Sequence, residues 1–264
     1  MELPVSIFLV VFFLILLNQL GWFGIAWQKQ DNGLADVGWG IGFVLSSWAA
    51  YIYSPESPML LMAILVTLWA FRLSLHIYFR NKLRSGEDWR YKAWREEWGS
   101  SAFQKSLTRV FLLQGFFLYL ICLPILVTAW KGLSDFSLLY WIGALVFLFG
   151  FLWESIADFQ LYRFKKQSAN SGKILSSGLW NLSRHPNYFG EIVLWWGIFL
   201  MSTPAGMWWI SIVGPTTLSW LITRVSGVPM LERKQVQVPG FQESKSIRPA
   251  LVPNFNLLFK ARQK

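Results

Sequence analysis

The sequence predicts an all-α polytopic membrane protein of about seven transmembrane helices, and three observations predict it. Hydrophobic residues make up 54% of the 264 and charged residues only 14%, against roughly 25% charged in soluble domains. The apolar residues, among them 22 Phe and 17 Trp, gather in runs that reach the roughly 20 residues a spanning helix needs. These runs are continuous and lack the period-2 alternation of barrel strands, so the backbone has to be satisfied within helices. The mean hydropathy of +0.40 agrees.

Seven spans are expected, near 4–27, 34–53, 58–79, 109–130, 137–158, 188–203 and 206–224. The first run, MELPVSIFLVVFFLILLNQLGWFGIAW, has an acidic residue, no basic leader and no small-residue cleavage site. It is expected as a retained helix, not a cleaved signal. The last two runs are separated by Thr203-Pro204-Ala205-Gly206, expected as a tight helical hairpin. The chain is expected as one membrane domain, with N-terminal spans over 4–130 and a ligand-binding part over 137–264.

The loops set the orientation. Arg80, Lys82, Arg84, Arg90, Lys92, Arg95 and Lys105 fall in one long loop, which is rich in Trp and expected to pack on the membrane face. Arg163, Lys165, Lys166, Lys173 and Arg184 fall in another, and the tail after Arg224 is basic again. The alternate loops, 54–57, 131–136 and 203–206, hold one lysine between them. Basic loops stay on the cytoplasmic side, so the N-terminus is expected outside and the C-terminus in the cytoplasm. The formal net charge of +10 follows from that topology and from attraction to anionic lipid; no nucleic-acid partner is needed to explain it. The single cysteine, Cys122, lies in an apolar run, where it builds no disulfide framework and is expected as a packing residue.

Chemistry is expected first in Ser176–Gly197, SSGLWNLSRHPNYFGEIVLWWG. It sets Arg184, His185, Asn187, Tyr188 and Glu191 at the mouth of an apolar run, where polar groups are costly unless they face protein, water or a ligand. Proline is tolerated in the first helical turn. A helix starting near Pro186 therefore places Asn187 and Glu191 on one face, one turn apart, where an amide and a carboxylate suit a carboxamide. The plainer reading is a helix start capped by Ser183. A second cluster runs from Trp153 to Lys166: Glu154 and Asp158 share a face, with Arg163, Lys165 and Lys166 one or two turns on. Here the acids suit ribose hydroxyls and the cations suit phosphates; the plainer reading is a surface pair with snorkelling lysines.

Further candidates lie elsewhere in the chain. The Gly86–Tyr91 segment, GEDWRY, reads as a loop closing over a cofactor with Arg90 or Arg95 on phosphate, or as a solvated turn. Asp36 reads as a proton donor in a reduction, or as the N-cap of the second span. Arg72 and His76, on the third span, are candidate partners for Asp36 or Glu154. The tail segment SGVPMLERK, with Glu232, reads as a cap on the cofactor site or as an interfacial helix ending at Pro239-Gly240. Two histidines and one cysteine do not build an ordinary metal centre, so no metal is expected. No Walker loop or Rossmann fingerprint is present, so a dinucleotide is expected among helices.

GLWNLSRHPNYFGE, the upstream acids and the SGVPMLE tail resemble the steroid 5α-reductase C-terminal domain family, and more closely its uncharacterised bacterial membrane branch. The resemblance is good over roughly 150–264, recognisable in GEDWRY and weak before residue 70. The RHPxY…E element is shared, more loosely, with isoprenylcysteine carboxyl methyltransferases and sterol C14-reductases. The resemblance implies seven transmembrane helices, NADPH held in the bundle near the cytoplasmic side, a bacterial inner-membrane location, and reduction of a carbon–carbon double bond conjugated to a carbonyl. It implies that Asn187 and Glu191 hold the nicotinamide end and that Asp158 meets the adenosine part. Lys165 and Lys173 fall where the steroid enzymes place phosphate-binding arginines, Glu154 where they place an asparagine, and Asp36 near their catalytic glutamate. Their partner tyrosine on the third span corresponds to Trp69, which has no phenolic proton.

The leading expectation is thus an NADPH-dependent reductase of a lipophilic enone, with Asp36 and Glu191 as catalytic residues. Arg90, Tyr91, Glu154, Asp158, Arg163, Lys165, Lys173, Arg184, His185, Asn187, Tyr188 and Glu191 are the expected cofactor contacts. An S-adenosylmethionine-dependent membrane methyltransferase and a non-enzymatic lipid-binding protein are the alternatives. The phosphate-ready cations and the acid pair favour NADPH, because S-adenosylmethionine carries no phosphate.

Overall fold

The computed structural model describes residues 5–82 and 86–257. Arg84, the side chains of Arg80 and Lys82, and the stretches 1–4 and 258–264 of the expected first span and basic tail lie outside the described residues. Among the described residues the regular structure is helical throughout. In chain order the α-helices are α1 (Val5–Lys29), α2 (Leu34–Tyr53), α3 (Ser57–Lys82), α4 (Trp89–Trp98), α5 (Ala102–Ser106), α6 (Leu113–Ile121) and α7 (Leu123–Lys131). Then come α8 (Leu138–Lys166), α9 (Pro186–Ser202), α10 (Trp208–Ser211), α11 (Val213–Trp220), α12 (Val228–Gln235) and α13 (Phe241–Ile247).

Among the described residues three helices are long and apolar enough to cross a membrane: Ile7–Lys29, Ser57–Phe79 and Leu138–Lys166. Counting the bent pair Trp89–Ile121 and Leu123–Lys131 as one broken span makes four, so the expectation of seven is met only in part. The 47° bend sits where Pro124 enters the first turn of α7, because proline has no N–H to continue the preceding helix. The remaining apolar runs are helical but fall short. Helix α9 has 17 residues. The run at 206–224 is broken between α10 and α11 and ends in a π-helical turn, Leu221–Val225. Helix α2 is diluted by Asp36, three glycines (Gly38, Gly40, Gly42) and two serines (Ser46, Ser47).

The chain forms two compact units: Met1–Leu138 with Ser202–Gly214, and Leu139–Met201 with Pro215–Lys264. In the first unit α2 packs along both α1 and α3. Its glycines permit close approach: a Cβ on Gly38 would lie 2.6 Å from the Trp22 ring, and one on Gly40 2.6 Å from the Ala70 carbonyl. The Trp-rich stretch after α3 is folded, not an open loop. Tyr91, Trp98 and Ala102 are buried together with Phe23, Ala26, Ala35 and Phe111, which fastens α4 and α5 to the ends of α1 and α2.

In the second unit α8 and α9 meet backbone to backbone. A Cβ on Gly150 would sit 2.5 Å from the Leu194 nitrogen, and one on Gly197 2.5 Å from the Phe147 nitrogen. Reciprocally, a Cβ on Gly143 would sit 2.6 Å from the Met201 nitrogen, and one on Gly190 2.6 Å from the Glu154 nitrogen. Small residues at seven-residue spacing on both helices give the close packing that membrane helices use in place of a hydrophobic drive. The chain after α13 returns to the start of α9. Arg184 N–H donates to the Pro249 carbonyl and His185 N–H to that of Ala250 (both 3.0 Å), while Asn254 N–H donates to Leu182 (2.9 Å).

Candidate functional site

Each unit buries clustered polar side chains. In the second unit, α8 buries a single stripe of Tyr140, Gly143, Ala144, Phe147, Gly150, Glu154, Ala157 and Asp158. Glu154 and Asp158 are only 2% and 6% exposed. The expected pair of acids on one face is therefore turned into protein, not toward a solvated surface. Helix α9 begins at Pro186, as the sequence predicts, and brings Asn187 to α8. The Asn187 Nδ2 donates to Asp158 Oδ1 at 3.2 Å, and Asn187 Oδ1, buried, has no hydrogen-bond partner. A 3-10 turn, Gly178–Asn181, is pinned to the same helix. Trp180 Nε1 donates to the Ala157 carbonyl and Leu179 N–H to Gln160 Oε1, both at 3.0 Å. Glu191, one turn into α9, is half-buried.

Arg184 and His185 face the other way. Arg184 Nε and Nη2 lie 2.8 and 2.7 Å from Glu232 Oε1, and its Nη1 donates to the Arg248 carbonyl. His185 Nε2 is 3.3 Å from the same oxygen, and its ring stacks on Tyr188 with centroids 5.7 Å apart. Burial lowers the His185 pKa to about 4 against the opposing pull of Glu232, so the ring is neutral at physiological pH and its Nε2–H donates to the carboxylate. The motif SRHPNY thus divides, Arg184 and His185 holding α12 and the C-terminal return while Asn187 holds α8. Ser183, expected as a cap in the plainer reading, caps nothing: its buried Oγ has no hydrogen-bond partner. Arg163, Lys165 and Lys173 are exposed, Arg163 lying 5.8 Å from the Phe159 ring centre.

In the first unit Asp36 is the hub. Tyr91 Oη donates to Asp36 Oδ1 at 2.6 Å, Gln114 Nε2 reaches the same oxygen at 3.3 Å, and Arg90 Nη2 donates to Oδ2 at 2.8 Å. Asp88 caps α4, accepting from the Arg90 backbone at 3.1 Å and from its Nε at 3.0 Å. Asp36 is not an N-cap; Gly33 holds that place. Arg95 pairs with Glu87 at 2.5 Å, and Asn32 N–H donates to the same carboxylate at 2.8 Å. Burial raises the Glu87 pKa, opposed by the Asn32 N–H and by Arg95. GEDWRY is therefore not a solvated turn; it is bound to the start of α2. Trp69, expected at the tyrosine's place, is fully buried against Phe43 with rings 5.3 Å apart, and a tyrosine from α4 meets Asp36 instead. The sequence reading missed Gln114 and Gln19. Gln19, 0% exposed on α1, has neither amide atom hydrogen-bonded, and Gln114 Oε1 is likewise without a partner. An amide inside an apolar run was the signal for each.

A family model described as "Protein of unknown function (DUF1295)" matches residues 22–246. An uncharacterised protein of Schizosaccharomyces pombe is 28% identical over 186 residues, covering 62% of this chain and 53% of that protein. The chain thus aligns with about half the length of this curated relative. No solved structure matches. With its model covering the chain from α1 to α13, the DUF1295 family is the one to which this helical, membrane-type protein belongs.

Proposed function

We propose that this protein is an NADPH-dependent membrane reductase that saturates a carbon–carbon double bond conjugated to a carbonyl in a lipophilic substrate, in the manner of steroid 5α-reductases. The observation that carries the reading is Asn187. Its amide nitrogen is committed to Asp158 while its buried carbonyl oxygen has no partner. A buried acceptor left unmade costs about 1–3 kcal/mol, and a carboxamide N–H from a ligand would satisfy it. Glu154, Asp158 and Glu191 supply further acceptors for amide and hydroxyl groups. NADPH, when bound, supplies the hydride; the residues here bind it, orient it and exclude water.

On the same reading all seven apolar segments lie in a bacterial inner membrane with the C-terminus cytoplasmic, which the alternation of basic and uncharged loops supports. Purified protein mixed with tritiated NADPH and a steroid enone such as progesterone tests the proposal. Micromolar NADPH binding and label transfer to the enone are expected, and no binding at that level overturns it. The methyltransferase alternative predicts stabilisation by S-adenosylmethionine and none by NADPH.

A further inference from the structure

Helix α1 buries two consecutive amides in the first unit, and they are treated differently. Asn18 Nδ2 donates to the Gly38 carbonyl at 3.1 Å. Gln19 is fully buried, and neither its Oε1 nor its Nε2 has a hydrogen-bond partner among the described residues. It lies within the apolar helix Ile7–Lys29, where a bilayer offers no water to satisfy it. Helix α6 stands opposite. A Cβ on Gly115 would sit 2.9 Å from Gln19 Cγ and 3.6 Å from its Nε2, so the glycine makes room for the long side chain in a helix interior that it weakens. The preceding residue, Gln114, donates through Nε2 to Asp36 at 3.3 Å and has a buried Oε1 with no partner. A π-helical turn, Leu107–Leu112, ends just before it, and such turns recur at functional sites. An unmatched amide, a glycine and a π turn are each unfavourable alone, and here they meet at one place on α1 and α6.

We infer that Gln19 and Gln114 form a recognition site for the hydroxyl of a membrane-soluble alcohol. The unmet groups are the N–H donors of Gln19 and a carbonyl acceptor on each glutamine. A hydroxyl both accepts and donates, so it answers both kinds. A ketone or an ether answers only the donors, and a carboxylate brings charge into an apolar setting without a proton to give. Ile15, one turn before Gln19, and Leu118, one turn after Gln114, are buried and give the hydrocarbon part of the ligand an apolar wall. Leu20 and Phe116, next in the chain to Gln19 and Gly115, are exposed, which places the site one residue in from the lipid-facing surface and opens it to entry from the bilayer. All of these residues belong to the first unit, so the site stands or falls independently of the reductase reading and of the NADPH contacts proposed in the second.

Equilibrium binding of tritiated farnesol to the full-length protein in nanodiscs, corrected with empty nanodiscs, tests the site. Wild type is expected to bind farnesol saturably, and farnesyl methyl ether, which accepts but does not donate, is expected to bind about fivefold more weakly. Gln19→Leu keeps the bulk and removes the amide. It is expected to weaken farnesol binding about tenfold and to abolish the difference between alcohol and ether. The thermal midpoint of the ligand-free variant should be unchanged or raised, because an apolar group in place of an unmatched polar one does not destabilise. Gly115→Ala keeps the amide but displaces the Gln19 side chain, so it should weaken farnesol binding less, and it carries the test if Gln19→Leu does not fold. Unsaturable binding, equal binding of alcohol and ether, or farnesol binding that neither variant alters overturns the site. A lowered ligand-free midpoint in Gln19→Leu with farnesol binding unaltered assigns the amides to an internal water and overturns it as well.

Discussion

Asn187 and Asp158 lie 29 positions apart and meet through a hydrogen bond of 3.2 Å. Their residue types were legible as chemistry, because an amide and a carboxylate at the edge of apolar runs need a reason to be there. Asn187→Ala removes the amide, and a loss of at least tenfold in NADPH affinity is expected by titration, with the helical circular-dichroism signal unchanged. Tyr91→Phe removes the buried hydrogen bond to Asp36 and is expected to destabilise the fold by about 1–3 kcal/mol, read by denaturant unfolding in detergent. His185 was expected to touch cofactor, and the fold buries it beside Glu232. Its pKa is lowered by burial from 6.5 to about 4, so the unfolded chain takes up a proton at a higher pH than the folded one does. Its contribution to stability is therefore complete above about pH 6.5 and is lost as the pH falls toward about 4. Thermal unfolding from pH 7.5 to pH 4 should show a falling midpoint, and His185→Gln should flatten that decline.

At the scale of elements, the α8–α9 contact positions the candidate site. Gly143 and Gly150 on one helix and Gly190 and Gly197 on the other let two backbones touch, which brings the Glu154 nitrogen against Gly190 and Asn187 against Asp158. The obstacle to a side chain at Gly150 or Gly190 is backbone, which does not rotate away. Gly150→Ala is expected to destabilise by at least the ~1–3 kcal/mol of an overpacked core, measured by denaturant unfolding in detergent. Gly24→Ala, where a Cβ meets nothing within 4 Å, is the matched control. The seven-residue spacings are visible in the sequence, but they acquire meaning only once these two helices are known to be neighbours. The same holds for α4: its tryptophans suggest a membrane face, yet it packs on α1 and α2 and delivers Tyr91 to Asp36.

For the whole molecule, the balance of charge and hydropathy bounds the protein as a membrane protein, and the helices Ile7–Lys29, Ser57–Phe79 and Leu138–Lys166 carry that conclusion. Ligand linkage gives a test that involves every part of the chain. A ligand at 100 times its Kd stabilises the native state by about 2.7 kcal/mol. NADPH at such an excess should raise the thermal midpoint of the detergent-solubilised protein by several degrees, and S-adenosylmethionine at equal concentration should leave it unmoved.

Composition, apolar runs and the placement of Pro186 determined by themselves that the chain is helical, that it belongs with membrane proteins and that α9 starts beside a polar motif. These are local properties, set by hydrophobicity over some 20 residues and by the missing N–H of proline. Tertiary structure alone decided which partner each polar group takes: Arg184 with Glu232, Arg90 and Tyr91 with Asp36, and Asn187 with Asp158. Pairing depends on distances between segments far apart in the chain, and hydrogen-bonding capacity, unlike hydrophobicity, does not name its partner.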